Sequence, residues 1–209
     1  ALNPQVAGRS LFSGTATDRP AVTDPDTILG ALNVAIASET TAAGVQSVVD
    51  TWFAPGGDFE TVAYEGAVND LSPLHIGPNE TATVTVRADD AAFRESLKGL
   101  AIASLVHNGA LASNVTEQAA LISYAGETLL SAESAVLNIR TTVGVVEAQI
   151  EQASVRNNAE TSVLEIARAG LLDVDPYKTA TELEATQLQL ETLYTLTARL
   201  SRLSLADYL

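Results

Sequence analysis

Two histidines are the residues in this sequence best suited to bind a metal ion or to transfer a proton. His75 and His107 lie 32 positions apart in a chain without cysteine. A zinc site needs three or four such ligands together, and no carboxylate cluster accompanies either histidine. We therefore expect no metal site and no cofactor. His75 fits a turn residue, and His107 fits a charge near a helix C-terminus.

Three pairs of acidic residues could form a second kind of site, because paired carboxylates serve acid–base chemistry or bind calcium. The pairs are Asp24 and Asp26, Asp89 and Asp90, and Asp173 and Asp175. Each pair stands just before a predicted helix, where aspartate caps free backbone N–H groups. Capping is the simpler explanation, since the glycine and glutamate of a calcium loop are absent.

The common catalytic sequence motifs are also absent. It has no glycine-rich phosphate loop, no Gly-x-Ser-x-Gly elbow and no His-Glu-x-x-His helix. The sequence therefore predicts that the protein is not an enzyme.

Charge and composition narrow the function further. Of 209 residues, 26 are acidic and 11 basic, and the resulting charge of −15 repels both nucleic acid and anionic membrane surfaces. No apolar stretch approaches the roughly 20 residues that cross a bilayer. With 46% hydrophobic but only 5% aromatic residues, the chain favours long, thin helices over a rounded core.

The strongest pattern is a seven-residue repeat from about residue 114 to residue 171. With Ile122 as position a, all but two of the a and d positions are apolar. The a series is Ile122, Leu129, Val136, Val143, Ile150, Asn157, Leu164 and Leu171, and the d series is Ala125, Ala132, Ile139, Val146, Ala153, Glu160 and Ala167. This repeat predicts a supercoiled helix of roughly 85 Å that packs on another helix. Asn157 and Glu160 mark either a register point or a solvated defect.

Capping signals place the two C-terminal helices. Asn114 suits the cap of the long helix, and Glu117 can reach back to complete a capping box. A second helix begins at Pro176 after the cap Asp175. It carries an apolar face of leucines that needs several neighbours to bury it: Leu183, Leu190, Leu193, Leu196, Leu200 and Leu203.

The first half of the chain predicts a mixed insertion. Residues 27–53 favour helix, residues 61–88 favour a strand with turns at Pro73 and at residues 77–79, and residues 91–106 favour a shorter helix. The predicted fold is mainly α with a small β-containing insertion (α+β), namely a long antiparallel coiled-coil rod and a small outer domain. We expect an outer domain at 1–88, a rod at 89–172 and a terminal helix at 173–209.

Two stretches resemble the flagellin superfamily, and most closely its hook-associated protein 3 branch, which joins the hook to the filament. The first runs from Gly8 to Thr15 as Gly-Arg-Ser-Leu-Phe-Ser-Gly-Thr, with Ser10 where the branch has an aromatic residue. The second is the C-terminal rod from the heptads through residues 173–177 and 188–194 to the closing residues 203–209. Together they cover roughly half of the chain.

The resemblance implies a structural protein of the bacterial flagellum that assembles through its helices. Its partners would be copies of itself, hook-associated proteins and flagellin, with an export chaperone, and it would act outside the cell after export without a cleaved signal peptide. The resemblance also implies a further N-terminal helical region that pairs with the rod and is missing from this chain, which has no methionine.

Helix packing would then be the function of the apolar residues on the two C-terminal helices. The predicted packing residues are Ile122, Leu129, Val136, Ile139, Val143, Val146, Ile150, Leu164, Leu171, Leu190, Leu193 and Leu200.

Two other functions remain open from the sequence. A filament flagellin shares the rod, and a coiled-coil-stalked adhesin could bind carbohydrate through aromatic residues. Trp52, Phe53 and Tyr64 could stack on a sugar, although packing in a core is the simpler role for all three.

Overall fold

The computed structural model describes residues 2–172 and 175–202, and the chain divides into two compact units, Ala1–Val155 and Arg156–Leu209. The architecture is mainly helical with two small antiparallel hairpins, as predicted. The first unit holds these elements in order: β1 Gln5–Val6, β2 Arg9–Ser10, α1 Pro25–Ala35, α2 Ala42–Phe53, a short π-helix Phe59–Ala63, β3 Leu74–Gly77, β4 Glu80–Ala82 and α3 Ala91–His107. Helix α4, Val115–Leu172, begins in the first unit and ends in the second, which also holds α5, Pro176–Arg202.

The core of the first unit lies where α1, α2, α3, the π-helix and the start of α4 contribute apolar side chains. At the end of α2, the ring centroids of Trp52 and Phe53 lie 4.8 Å apart, and they lie 6.1 and 5.5 Å from the ring centroid of Phe59. The other large, fully buried side chains of this core are Leu32, Val45, Val49, Ile102, Leu105 and Leu121. The helical prediction for residues 27–53 is confirmed, and Asp24 and Thr41 cap its two helices.

The predicted hairpin turn at residues 77–79 is confirmed, but the strand is shorter than expected. In β3 and β4, Leu74 pairs with Ala82, so the next ladder position would place Thr83 opposite Pro73. Proline has no N–H to donate to a ladder, and β4 ends at Ala82. Residues 61–63, at the start of the predicted strand region, belong instead to the π-helix Phe59–Ala63.

The turn at residues 11–14 ties three segments of the first unit together. The backbone oxygen of Ser13 accepts from Ala67, the oxygen of Phe12 accepts from Ala88, and the amide of Thr15 donates to Asn69. Ser13 is fully buried. Gly14 has φ +58°, and a Cβ there would lie 2.4 Å from the carbonyl oxygen of Asn69. Only glycine fits this position.

Helices α3 and α4 approach each other closely at Gly99. A Cβ at Gly99 would lie 2.6 Å from Cγ of Leu129 and 3.2 Å from the carbonyl oxygen of Ala125, both on α4. The glycine therefore allows α4 to pack directly on α3.

We predict that Gly99→Ala destabilises the protein although Gly99 lies within a helix. Alanine gains about 0.5–1 kcal/mol of helix propensity, but overpacking against Leu129 costs about 1–3 kcal/mol. The matched control is Gly30→Ala in α1, where the new methyl meets nothing within 4 Å and stability should rise. Urea unfolding followed by circular dichroism measures both. Stabilisation by both substitutions would contradict the close helix contact.

We predict a larger loss for Gly14→Ala, about 2–4 kcal/mol, because left-handed strain adds to the overlap with two backbone carbonyls. Gly8→Ala is the control, since Gly8 also has a positive φ, +74°, but open space around it. It should lose about 1–2 kcal/mol through strain alone. Equal losses in denaturant unfolding would show that the close contacts of Gly14 contribute nothing.

Candidate assembly interface

The start of α4 is fixed by its cap and by one long-range contact. The Asn114 side chain accepts hydrogen bonds from the amides of Thr116 and Glu117, as predicted. The predicted capping box is wrong, because the amide of Asn114 already donates to the oxygen of Leu111. The carboxylate of Glu117 instead accepts from the amide of Ala42, at 2.5 Å, in the first turn of α2. A negative charge at that helix N-terminus is favourable.

Two turns further along, a polar network joins α4 to α2 and α3. The Tyr124 hydroxyl donates to Asp50 at 2.6 Å, and the ammonium of Lys98 contacts Asp50 at 2.9 Å and Glu95 at 2.8 Å. Burial acts to lower the pKa of Lys98, but the two carboxylates outweigh it and raise that pKa. Burial, followed by the bond to Asp50, raises the pKa of Tyr124. Lys98 therefore stays charged and Tyr124 keeps its proton at neutral pH, and the network joins α4 to α2 and α3 at this point.

The inner face of α4 is the side buried in the first unit. It begins with the buried residues Leu121, Ala125, Thr128 and Ala132, continues through the half-buried Val136, Ile139, Val143, Val146 and Ile150, and ends at the buried Ala153. Five of the predicted packing residues therefore share this face, and Leu129 is half-buried beside it.

Ile122 lies elsewhere. It is 46% exposed, whereas Leu121 next to it is fully buried. On a helix of 3.6 residues per turn, positions seven residues apart differ in direction by about 20°. Two heptads before Val136, position a therefore no longer points to the buried side of α4, and Ile122 is exposed. Sequence reasoning missed Leu121 for this reason, although apolar residues at 121, 125, 128 and 132 follow the three-and-four spacing of a helix face.

In the second unit the remaining predicted packing residues are all exposed. Leu164 and Leu171 lie in the last turns of α4, where every side chain from residue 156 to residue 172 is exposed. Every side chain of α5 is exposed as well. The leucine face of α5, which includes the predicted residues Leu190, Leu193 and Leu200, consists of Leu183, Leu190, Leu193, Leu196 and Leu200. Leu203 lies outside the described residues.

The N-terminus of α5 forms as predicted. The Asp175 side chain accepts hydrogen bonds from the amides of Tyr177 and Lys178, and Pro176 is the first residue of the helix.

The five exposed leucines of α5 form an uncovered apolar face, and such a face marks an interaction surface. The exposed ends of α4 and α5 thus form the candidate assembly interface.

The other candidate sites resolve into structural roles. Asp24 caps α1. Asp90 occupies the N-cap position of α3 as predicted, but neither its side chain nor that of Asp89 makes a capping hydrogen bond. Both carboxylates bind Arg87, Asp89 through the guanidinium and Asp90 through the backbone amide. Asp173 lies outside the described residues. Within residues 2–172 and 175–202, no group of three His, Asp or Glu side chains converges as a metal site.

The aromatic residues considered for sugar binding are in the core. Trp52 and Phe53 are each 4% exposed, and Tyr64 is buried with its hydroxyl donating to the oxygen of Ala67. Packing is therefore confirmed as their role. None of the helices in the described part of the chain is long and apolar enough to cross a membrane.

Comparison with known proteins finds a match for the region that contains these exposed helices. Residues 127–209, somewhat less than half of the chain, match the family described as the bacterial flagellin C-terminal helical region. No curated protein and no solved structure matches the chain. The matched region includes most of α4 and all of α5, so the similarity to flagellin lies in the helices that carry the exposed leucines.

Proposed function

We propose that this chain is a subunit of the junction between the flagellar hook and the filament, and that it assembles through the exposed ends of α4 and α5. The observation that carries the proposal is the leucine face of α5, whose side chains are 48% to 68% exposed and which lies in the region similar to the flagellin C-terminus. Full burial of each leucine contributes about 1.5–3 kcal/mol. Ordering of these helices would then be coupled to assembly.

The junction role within the superfamily is favoured by the turn at residues 8–15, which resembles the hook-associated protein 3 branch. Its partners would be copies of itself, hook-associated proteins and flagellin, with an export chaperone before assembly. It would act outside the cell, after export without a cleaved signal peptide. The rod, residues 89–172, and the terminal helix, residues 173–209, would carry the contacts.

Filament flagellin is the second candidate, because the matched family is the C-terminal region of flagellin itself. The two roles differ in the number of copies, since a junction is a short ring and a filament is an extended polymer.

A strain without the gene separates these candidates. For a junction subunit, electron microscopy should show hooks without filaments, and immunoblots of the medium should contain shed flagellin. Complementation with the gene should restore filaments. Hooks without filaments and no shed flagellin, with the purified protein polymerising alone into filaments, would instead identify the filament subunit.

A double substitution on the leucine face of α5, Leu190→Asp with Leu193→Asp, should abolish filament attachment and swimming in the complemented strain. Two carboxylates cannot enter an apolar contact without a large desolvation cost. Because both residues are exposed in the chain, the unfolding midpoint of the purified protein should not change, and the variant should still be exported and appear in the medium.

Leu188→Asp is the matched control. Leu188 is also exposed, but it lies two residues from Leu190 and so on the opposite side of α5. Swimming should be retained in this variant. Normal swimming of the double variant, or its loss with Leu188→Asp alone, would show that the leucine face is not the assembly contact.

A further inference from the structure

Helix α5 carries threonines between the leucines of its leucine face. Steps that alternate between three and four residues, taken in both directions from Leu190, follow one continuous line along the helix. We define the seam of α5 as the residues on this line: Thr179, Leu183, Thr186, Leu190, Leu193, Thr197 and Leu200. All of them are exposed in the chain. This spacing is the seven-residue repeat of a helix that packs on another helix.

The hydroxyl of each seam threonine is already hydrogen-bonded within its own helix. Each one donates to the carbonyl oxygen four residues earlier, over 3.0 Å for Thr179 and 2.7 Å for both Thr186 and Thr197. A buried hydroxyl destabilises a contact when it lacks a hydrogen-bond partner. Because these hydroxyls have their partners in α5, the seam can be buried against a surface that offers no polar group.

The positions that flank the seam carry little charge. Among them only Glu182 is charged, and the others are Ala180, Gln187, Gln189, Tyr194, Leu196 and Ser201. The other charged residues of α5 lie farther from the seam, at positions 178, 184, 191, 199 and 202. In a coiled coil, charges at the flanking positions select the partner through ion pairs. With one such charge, the seam of α5 selects its partner mainly by apolar contact.

We propose that Thr186 and Thr197 are contact residues of the assembly, buried between the leucines with their hydroxyls still bonded to α5. The partner that fits this seam is an α-helix with an apolar stripe and no hydrogen-bonding side chain opposite the two threonines. The inference rests on the proposed function, because it assigns further residues and a partner surface to the same contact.

Charge placed at the two threonines tests their burial. Thr186→Glu with Thr197→Glu, in the complemented strain, should reduce the number of filaments per cell at least about tenfold, because carboxylates enter an apolar contact only at a large desolvation cost. Glutamate forms helix better than threonine, so loss of α5 does not account for this result. Immunoblots of the medium should show that the variant is exported. Thr186→Lys with Thr197→Lys is the second variant, and it should have the same effect.

Thr192→Glu with Thr195→Glu is the matched control. These threonines are also exposed, and their hydroxyls also donate to their own helix, at 2.8 Å. They lie about 140–160° around α5 from the centre of the seam. The same two charges should therefore leave the filaments unchanged. An unchanged number of filaments in both charged seam variants, or an equal loss in the control, would overturn the proposal.

Valine at the seam positions tests the hydroxyls. Thr186→Val with Thr197→Val keeps the shape of each side chain and replaces only the hydroxyl, so filaments should form in their usual number. Loss of filaments would show that the hydroxyls bond to the partner, which contradicts an apolar partner surface.

The variant Leu190→Asp with Leu193→Asp separates this inference from the proposed function. If that variant swims normally, the leucine face is not the assembly contact and both conclusions fail. If it loses its filaments while Thr186→Glu with Thr197→Glu keeps them, the proposed function stands and the threonines lie outside the contact.

Discussion

Burial of one side of α4 against α2 and α3 is the interaction on which the rest of the first unit depends. Leu121 enters the same core as the residues of α1, α2 and the π-helix, and Gly99 lets Leu129 approach the backbone of α3. Apolar burial of this kind has no direction of its own. Two hydrogen bonds supply the direction: the amide of Ala42 donates to the Glu117 carboxylate, and the Tyr124 hydroxyl donates to Asp50. They fix the rotation of α4 and its position along the neighbouring helices.

The sequence predicts the features that depend on neighbouring residues, and it fails where the partner is distant along the chain. Helix starts follow from local chemistry, so the caps at Asn114 and Asp175 and the turn between β3 and β4 could be predicted from neighbouring residues. The partner of Glu117 lies 75 residues away along the chain, and a local capping rule cannot choose between that partner and its own helix. Likewise, the end of β4 depends on Pro73 across the ladder, which the alternation of residues 81–86 does not contain.

The packing residues of α4 and α5 could be predicted only in part, for a different reason. The heptad repeat shows that one side of α4 is apolar, but it does not give the exact direction of that side at each turn. It therefore predicted Ile122 as a packing residue, whereas the structure buries Leu121. Which of the exposed leucines in α4 and α5 contact a partner is a property of the assembly, and no single chain contains it.

A ring or a filament needs a contact between different surfaces that leaves each new copy able to bind another. The leucine face of α5 and the exposed end of α4 are the surfaces that we propose for such a contact. The contact must also overcome the repulsion between chains of charge −15. Apolar burial can do so because it is short-ranged and not screened, while salt weakens the repulsion. Arg199 and Arg202 lie in the last turn of α5, so the helix that carries the leucine face ends in positive charge, which reduces the repulsion there.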